Sequence, residues 1–372
     1  MTRILTKTTI LTFTTLTLFL GTSEGKITKP ADTFSVMAYN VENLFDTIHD
    51  EGKDDYTYLP LKVKRGNKEI KKRCESLNNR FYRKLCLELD WSDSVLKQKI
   101  MQLSRVIRHV NNGRGPDVLI VEEVENIHVL KMLRDIGLSD LGYLEPVLIE
   151  GPDVRGIDIG MLTRYPVVSK KLHLVQLAKR PTRGILEVKL NIEGLTVTLL
   201  GNHWPSQANP SSMRLQAAET VHEAIRGSDG PIIITGDFNT LDSDSPNGIE
   251  EYLTNPKQHP NFADIEMERY KGKRTSERGT HWYRGKWSSL DRIFINEDSI
   301  GKNCTNFPNC LVTDWKDFNI VKEPFMLTNS ERFDFKSAEA KHREPIPARF
   351  DSRTGKGFSD HLPLTMVFKI IK

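Results

Sequence analysis

Apolar positions fall in two patterns along this chain. Short unbroken or alternating runs intermix with stripes of roughly 3.6-residue spacing, from residue 34 to residue 370. The runs predict strands at 34–42 (FSVMAYNVE), 117–124 (DVLIVEEV), 158–165, 289–296 (SLDRIFIN) and 362–370 (LPLTMVFKI). Two more lie across 184–203, joined by a Gly-containing turn in NIEGLTV. The first half of PIIITGDFNT (231–240) reads as a strand buried on both faces, because nothing polar interrupts it. The stripes predict two helices. One has Ser92 as its N-cap, carries Leu96, Ile100, Leu103, Ile107 and Val110 on one face, and stops at Gly113. The other runs from about Ser212 to Ile225, with Leu215, Ala218, Val221 and Ile225 together and Gly227 behind them. There is no linker and no internal repeat, which predicts one domain of mixed sheets flanked by helices. Two segments lack a pattern. Residues 51–90 read as a basic insertion, with eleven Lys/Arg against seven Asp/Glu, and residues 297–358 as a long loop.

With 38% hydrophobic and 27% charged residues, the 372-residue chain suits a soluble globular protein with a proper core. A net charge of +4 is too mild to imply nucleic acid or membrane by itself. The N-terminus changes the picture. Arg3 and Lys7 precede the uncharged stretch TTILTFTTLTLFLG, the layout of a secretory signal peptide over residues 1–25, with the mature domain at 26–372. The stretch is too short to span a bilayer, so no stable membrane anchor is predicted, and the location is secreted or periplasmic. A buried N-terminal strand is the competing reading of this Thr-rich segment. Export in turn favours disulfides. Cys74, Cys86, Cys304 and Cys310 lack C-x-x-C spacing, which argues against zinc. Cys74–Cys86 with Cys304–Cys310 is the simplest of three connectivities, and four free thiols are the alternative.

The candidate chemistry sits at strand ends. YNVEN, VEEVEN, GNHW, GDFN, SSLDRI and FSDHLP each put Asn, Glu, Asp or His where a strand starts or stops. One such edge is ordinary turn chemistry. Six on separate strands point to a site, since functional groups gather at the strand ends of packed sheets. Asn40, Glu42, Glu123, Asp237, Asn239 and Asp360 are hard oxygen donors. They suit Mg²⁺, with Mn²⁺ or Ca²⁺ as alternatives, and do not suit Zn²⁺. His203 and His361 remain for a substrate, as cationic imidazoles that stabilise charge on a phosphate.

NVENLFD, VEEVEN, RGIDIGMLTRYPV, NHWPS with a downstream Arg, GDFN, GTHWYRGKWSSLDRIFI and GFSDHLP follow one another across residues 34–370. In content and order the set resembles the endonuclease/exonuclease/phosphatase superfamily, and most of all an exported bacterial branch of it. The resemblance implies an α+β fold, a four-layer α/β/β/α sandwich of two packed, largely antiparallel mixed sheets flanked by helices. It implies a metal-dependent phosphoric ester hydrolase. Glu123 matches the family's metal-binding Glu, with Asn40 and Glu42 beside it and Asp360 in a metal-linked position. Asp237 matches the group that takes a proton from, or aligns, the attacking water. Asn239 matches a phosphate donor. His361 would hold a phosphate oxygen with Asp291 fixing its ring, and His203 and Arg214 would reach the same phosphate. Arg155 and Asp158 match a further substrate-side motif, in which Asp158 is placed to contact substrate or to brace the histidines. The chain departs from the family at Glu122, where many members have Gln, and at Gln207, where relatives often carry Arg.

These features favour a nuclease of little sequence preference that cuts DNA, or RNA, as a monomer with no protein partner. The basic run 62–73 and the aromatics Phe81, Tyr82 and Trp91 would face nucleic acid. His281, Trp282, Tyr283 and Trp287 read as strand packing or as a stacking surface. The alternative is a phosphohydrolase of the same fold acting on lipid headgroups, inositol phosphates or another small phosphoester. A catalytically dead binding module is disfavoured, because every expected site residue is present.

Overall fold

The computed structural model describes residues 32–177, 181–228, 230–255, 257, 261–296, 310–329 and 345–371. The expected signal segment and Cys304 lie outside the described residues. Residues from Ala31 onward form one compact unit. Two mixed sheets build it. The first is seven-stranded, from β1 (Thr33–Leu44), β2 (Val118–Val124), β3 (Val147–Leu148), β4 (Asp158–Thr163), β13 (Cys310–Val312), β14 (Asn319–Ile320) and β17 (Leu364–Ile371). Its order is β13-β17-β1-β2-β4-β3, with β14 also on β17. The second is six-stranded, from β5 (Val167–His173), β6 (Ile185–Ile192), β7 (Leu195–His203), β8 (Ile232–Asp237), β9 (Phe262–Asp264) and β12 (Asp291–Asn296). Its order is β5-β6-β7-β8-β12-β9. Two ribbons, β10 (His281–Tyr283) with β11 (Lys286–Ser288) and β15 (Leu327–Asn329) with β16 (Pro345–Pro347), stand apart. Short strands therefore occupy the described parts of the predicted 297–358 loop.

The insertion holds α1 (Leu61–Gly66), α2 (Lys68–Glu75) and α3 (Arg80–Glu88), and α4 (Asp93–His109) follows it. Further on come α5 (Ile127–Met132) and α6 (Ser211–Ile225). The sheets meet face to face. Val188, Leu190, Val197, Leu199, Ile233 and Ile293 join one core with residues of the first sheet and with Leu96, Ile100, Leu103 and Ile107 of α4. Ile232, Ile234 and Phe294 turn outward into a second core with Ala217, Ala218, Val221 and Ile225 of α6. β8 thus alternates between two cores, which is why its sequence is apolar at every position. Each isoleucine so buried contributes roughly 1.5–3 kcal/mol.

Local signals act as expected in most places. Glu193 and Gly194 both take positive φ, 53° and 90°, the two-residue turn that joins β6 to β7. Ser92 sits at the N-cap of α4 but makes no capping bond with its side chain, and the helix ends at His109, before Val110. In the insertion Asn67 and Asn79 cap α2 and α3 by accepting backbone N–H bonds. Helices of eight and nine residues are marginal alone. A Cys74–Cys86 disulfide ties the pair, and the burial of Ile70, Cys74 and Cys86 packs it. Such a link is worth about 2–4 kcal/mol. Among the described residues no helix is long and apolar enough to cross a membrane.

Candidate active site

The two parallel pairings among the described residues, β1 with β2 and β7 with β8, end at the site. Asn40 and Glu42 lie in the second half of β1, Glu123 is the penultimate residue of β2, His203 ends β7 and Asp237 ends β8. Asp291 opens β12 directly opposite Asp237, and Asp360 and His361 precede β17. Backbone shape completes the gathering. Glu42, Glu123 and Asn239 have φ of 53°, 63° and 48°, in the left-handed region that side-chain-bearing residues avoid. Each bends its chain where a strand pairing ends or shifts. Gly236, at φ +131°, lies so close to β7 that a Cβ there would stand 2.1 Å from the Asn202 carbonyl. Only glycine permits that approach one residue before Asp237.

Asp237 is fully engaged. Its Oδ1 accepts the Asn239 N–H at 2.9 Å, and its Oδ2 accepts the side-chain amides of Asn40 and Asn239, both at 3.1 Å. His203 Nε2 stands 3.6 Å from that Oδ2 and 3.8 Å from Glu123 Oε1. His361 Nδ1 is bonded to Asp291 Oδ2 at 2.8 Å, an oxygen that also accepts the Thr280 hydroxyl at 2.5 Å. This leaves His361 Nε2 facing Asp237 at 3.9 Å. The loop before β17 is itself pinned. Ser359 Oγ donates to the Asn40 carbonyl at 2.6 Å and accepts the His361 N–H at 3.1 Å, and buried Lys99 of α4 grips the Phe358 carbonyl at 2.7 Å.

The charges sort unevenly. Burial would depress His361, but Asp291, Asp237 and Asp360 outweigh it and hold the ring well above the usual imidazole range. It is an imidazolium. Burial, reinforced by Arg183 and Arg155, drives His203 well below that range, so it is neutral. This corrects the expectation of two cationic histidines. Burial pushes Asp237 up to about 7, with His361 pulling it down and Asp291 adding to the rise. Burial and then Asp360 raise Glu42 to about 7, while Arg349 opposes them. Burial would raise Asp360 too, but Arg349, His361, His281 and Lys99 bring it down to about 2.

The oxygen donors fit a hard cation. Glu42 and Asp360 converge on one guanidinium, with Arg349 2.6 Å from Glu42 and 3.4 Å from Asp360. Glu42 Oε2 is buried without a protein partner, and Glu123 Oε2 accepts the Asn43 N–H at 3.0 Å. Among the described residues, two groups bring three His or carboxylate donor atoms within 4.8 Å of one another. They are Asp237–Asp291–His361 and His281–Asp360–His361, and neither contains Glu123.

Residues 84–370 match the sequence profile of the endonuclease/exonuclease/phosphatase family. The chain belongs to that family. Among solved structures it is similar to a humanized D. rerio TDP2, at a TM-score of 0.51 and 15% identity over 91% of this chain and 100% of that one. It is also similar to an endonuclease/exonuclease/phosphatase family protein from Bacteroides thetaiotaomicron, at 0.50 and 14% over 91% and 98%. ANGEL2, a 2′,3′-cyclic phosphatase, gives 0.52 and 13% over 90% and 95%. At such identities the likeness establishes the fold. No curated protein matches the chain.

Not every residue matched to a family motif reaches the site. Arg214 is a brace. Its guanidinium bonds Asp244 and the carbonyls of Pro205, Ser206 and Asn209, and it is buried. Asp158 accepts the Gly151 N–H at 2.9 Å, so it orders backbone. Arg155 is half-exposed, 3.5 Å from Asp153. Gln207, where the family often has Arg, holds the Asn239 carbonyl at 2.5 Å. Glu122 lies wholly between the sheets with neither oxygen bonded, and burial, then Asp291 and Asp237, push it well above the carboxylate range. Trp91, expected to stack on bases, is buried and donates to the Phe45 carbonyl at 3.0 Å. Three residues were missed. Arg349 and Lys99 carry no motif, and His281 was weighed only as an aromatic.

Proposed function

We propose that this chain is an exported, Mg²⁺-dependent phosphodiesterase that hydrolyses DNA, or RNA, with little sequence preference. The carrying observation is the pairing of Asp237 with the imidazolium of His361 across 3.9 Å. Such a gap lets the two groups address one phosphate from different sides. Asp237, steadied by the Asn40 and Asn239 amides, takes the proton of the attacking water. His361 donates from Nε2 to a phosphate oxygen as charge builds there, while Asp291 holds the ring. Neutral His203 donates one further hydrogen bond. As the water oxygen bonds to phosphorus, the ester P–O bond breaks and its oxygen departs. Asn40, Glu42, Glu123 and Asp360 would hold the ion. When bound, Mg²⁺ supplies Lewis-acid stabilisation of the phosphate charge.

The substrate reading rests on the disulfide-tied hairpin α2–α3. Phe81 and Tyr82 are 68% and 58% exposed on it, among Lys71, Lys72, Arg73, Arg80, Arg83 and Lys84. The hairpin packs on the turn of Tyr58, whose hydroxyl is held well above its ordinary pKa by burial and then by the nearby Glu123 and Glu42, so it stands beside the site. Basic side chains would neutralise phosphates and the rings would stack on bases. The disulfide and the N-terminal pattern support export. The test is a panel of plasmid DNA, RNA, sphingomyelin, inositol phosphates and a bis-aryl phosphodiester with Mg²⁺ or EDTA. DNA or RNA cleavage should vanish in EDTA and weaken steeply with salt. Replacing Lys71, Lys72 and Arg73 with Ala should flatten the salt slope. Full activity in EDTA, or hydrolysis of only the lipid or inositol phosphates, would overturn the reading.

A further inference from the structure

A second set of donors meets at the edge of the site, and its position is fixed by backbone. His281 of β10 and His361 form an isolated antiparallel bridge, and the Leu362 N–H donates to the Thr280 carbonyl at 2.8 Å. Directly opposed residues hold their Cβ atoms about 4.5–5.5 Å apart. The two imidazoles accordingly lie side by side, centroids 4.7 Å apart and tilted by 34°. Asp360 joins them, so that one donor atom of each residue falls within 4.8 Å of the other two. His361 Nδ1 is already taken by Asp291, which leaves Nε2 as its free donor. His281 Nδ1 is buried with no protein partner.

We propose that His281, Asp360 and His361 form a second cation site that takes a nitrogen-preferring divalent ion such as Zn²⁺ and blocks the active site when filled. Two imidazoles, one carboxylate and one open position are what Zn²⁺ accepts, whereas Mg²⁺ favours oxygen alone. Bonds of about 2.1 Å place tetrahedral donors roughly 3.4 Å apart. Donors already within 4.8 Å reach that spacing by small side-chain rotations. The Asp291 carboxylate behind His361 is the outer support that orients a metal-bound imidazole. Coordination replaces the proton on His361 Nε2, so the ring loses its hydrogen bond to phosphate. It also draws Asp360 toward the imidazoles. Occupancy stands independently of the reaction proposed above, and only the blocking effect rests on it.

The experiment is calorimetric titration of the full, chelator-stripped protein with ZnSO₄ under saturating MgCl₂. One Zn²⁺ per chain is expected. His281→Asn and Asp291→Asn should each weaken it about tenfold or more, whereas His222→Asn, on α6, should not. X-ray absorption on the Zn²⁺-loaded wild type should show two imidazole ligands, which keeps the site testable if a variant misfolds. Zn²⁺ should inhibit hydrolysis of a bis-aryl phosphodiester, and His281→Asn should need about tenfold more Zn²⁺ for the same fractional loss. No Zn²⁺ binding, unchanged affinity in His281→Asn, or a spectrum with fewer than two imidazoles would overturn the site. If Mg²⁺ supports no hydrolysis at all, the proposed reaction fails, and the binding data still decide the site.

Discussion

Asp237 and Asp291 face each other across the β8–β12 pairing, and His361 stands against both carboxylates. Burial raises the proton affinity of Asp237 above that of an ordinary carboxylate, which makes it a better acceptor for the proton of a water and not merely a fixed charge. His361 works in the opposite sense, because its carboxylate neighbours keep a proton on it. The two residues therefore fail differently. Asp237→Asn removes the proton acceptor while keeping a side chain of the same shape, and turnover should fall by roughly 10²–10⁴. His361→Ala removes a charged donor and should cost roughly 10²–10³. Steady-state rates on a bis-aryl phosphodiester, with circular dichroism to check folding, measure both. Rates near wild type in either variant would show that the site is misplaced.

At the scale of elements, β8, α4 and α6 were legible because each repeats one signal over many residues. β5 was not. It is an exposed edge strand, VVSKKLH, whose two valines face solvent and whose centre is Ser-Lys-Lys, so no alternating or continuous apolar run marks it. The helices of 51–90 were hidden because they are short and held by a disulfide, Asn caps and local packing. The site divides in the same way. Residues inside motifs, from Asn40 to His361, fell where strand ends converge. Arg214 and Asp158 also sit in motifs, yet spacing alone does not reveal which partner a side chain meets. Lys99 lies 259 residues from the carbonyl it grips, so no local pattern could announce it. Burial lowers Lys99 to about 8, although Glu42, Asp360 and Glu123 pull it up. It thus couples α4 both to the loop before β17 and to the oxygen donors. Lys99→Met keeps the packing volume but frees that loop and deletes a cation. Turnover should drop about tenfold, as an unmade bond to a charged group is worth roughly 1.5–3 kcal/mol. The Mg²⁺ concentration for half-activity should fall at the same time, since one repelling charge is gone. A variant that loses turnover and also needs more Mg²⁺ would contradict this role.

Over the whole molecule, the buried titratable groups set how stability depends on pH. Burial raises Glu42 and Asp237 to about 7, Asp158 to about 7 and Glu125 to about 9, and it raises Glu122 well above its ordinary 4.5. Between the ordinary and the raised value, the folded chain holds a proton that the unfolded chain has released. Stability from these acids is therefore present at low pH and is lost as pH rises through that window. His361, raised as well, contributes with the same sign. His203 and His281, driven down, oppose this only below the ordinary imidazole value of 6.5. From about pH 6.5 to about pH 8 the metal-free protein should lose stability, and above that Lys64 and Lys99, both lowered by burial to about 8, begin to oppose the acids. Glu122 isolates the effect, because both of its oxygens lack partners and Gln fits the same space. The ionised unfolded form gains roughly 1.4 kcal/mol on the protonated folded form for each pH unit above the ordinary value, up to the folded one. Glu122→Gln removes that penalty. In EDTA its Tm should exceed the wild type's by several degrees at about pH 8.5, and by little at about pH 5, where the unfolded carboxyl is only just ionised. Scanning calorimetry at the two pH values decides it. Equal shifts at both would mean that Glu122 acts through packing and not through its proton.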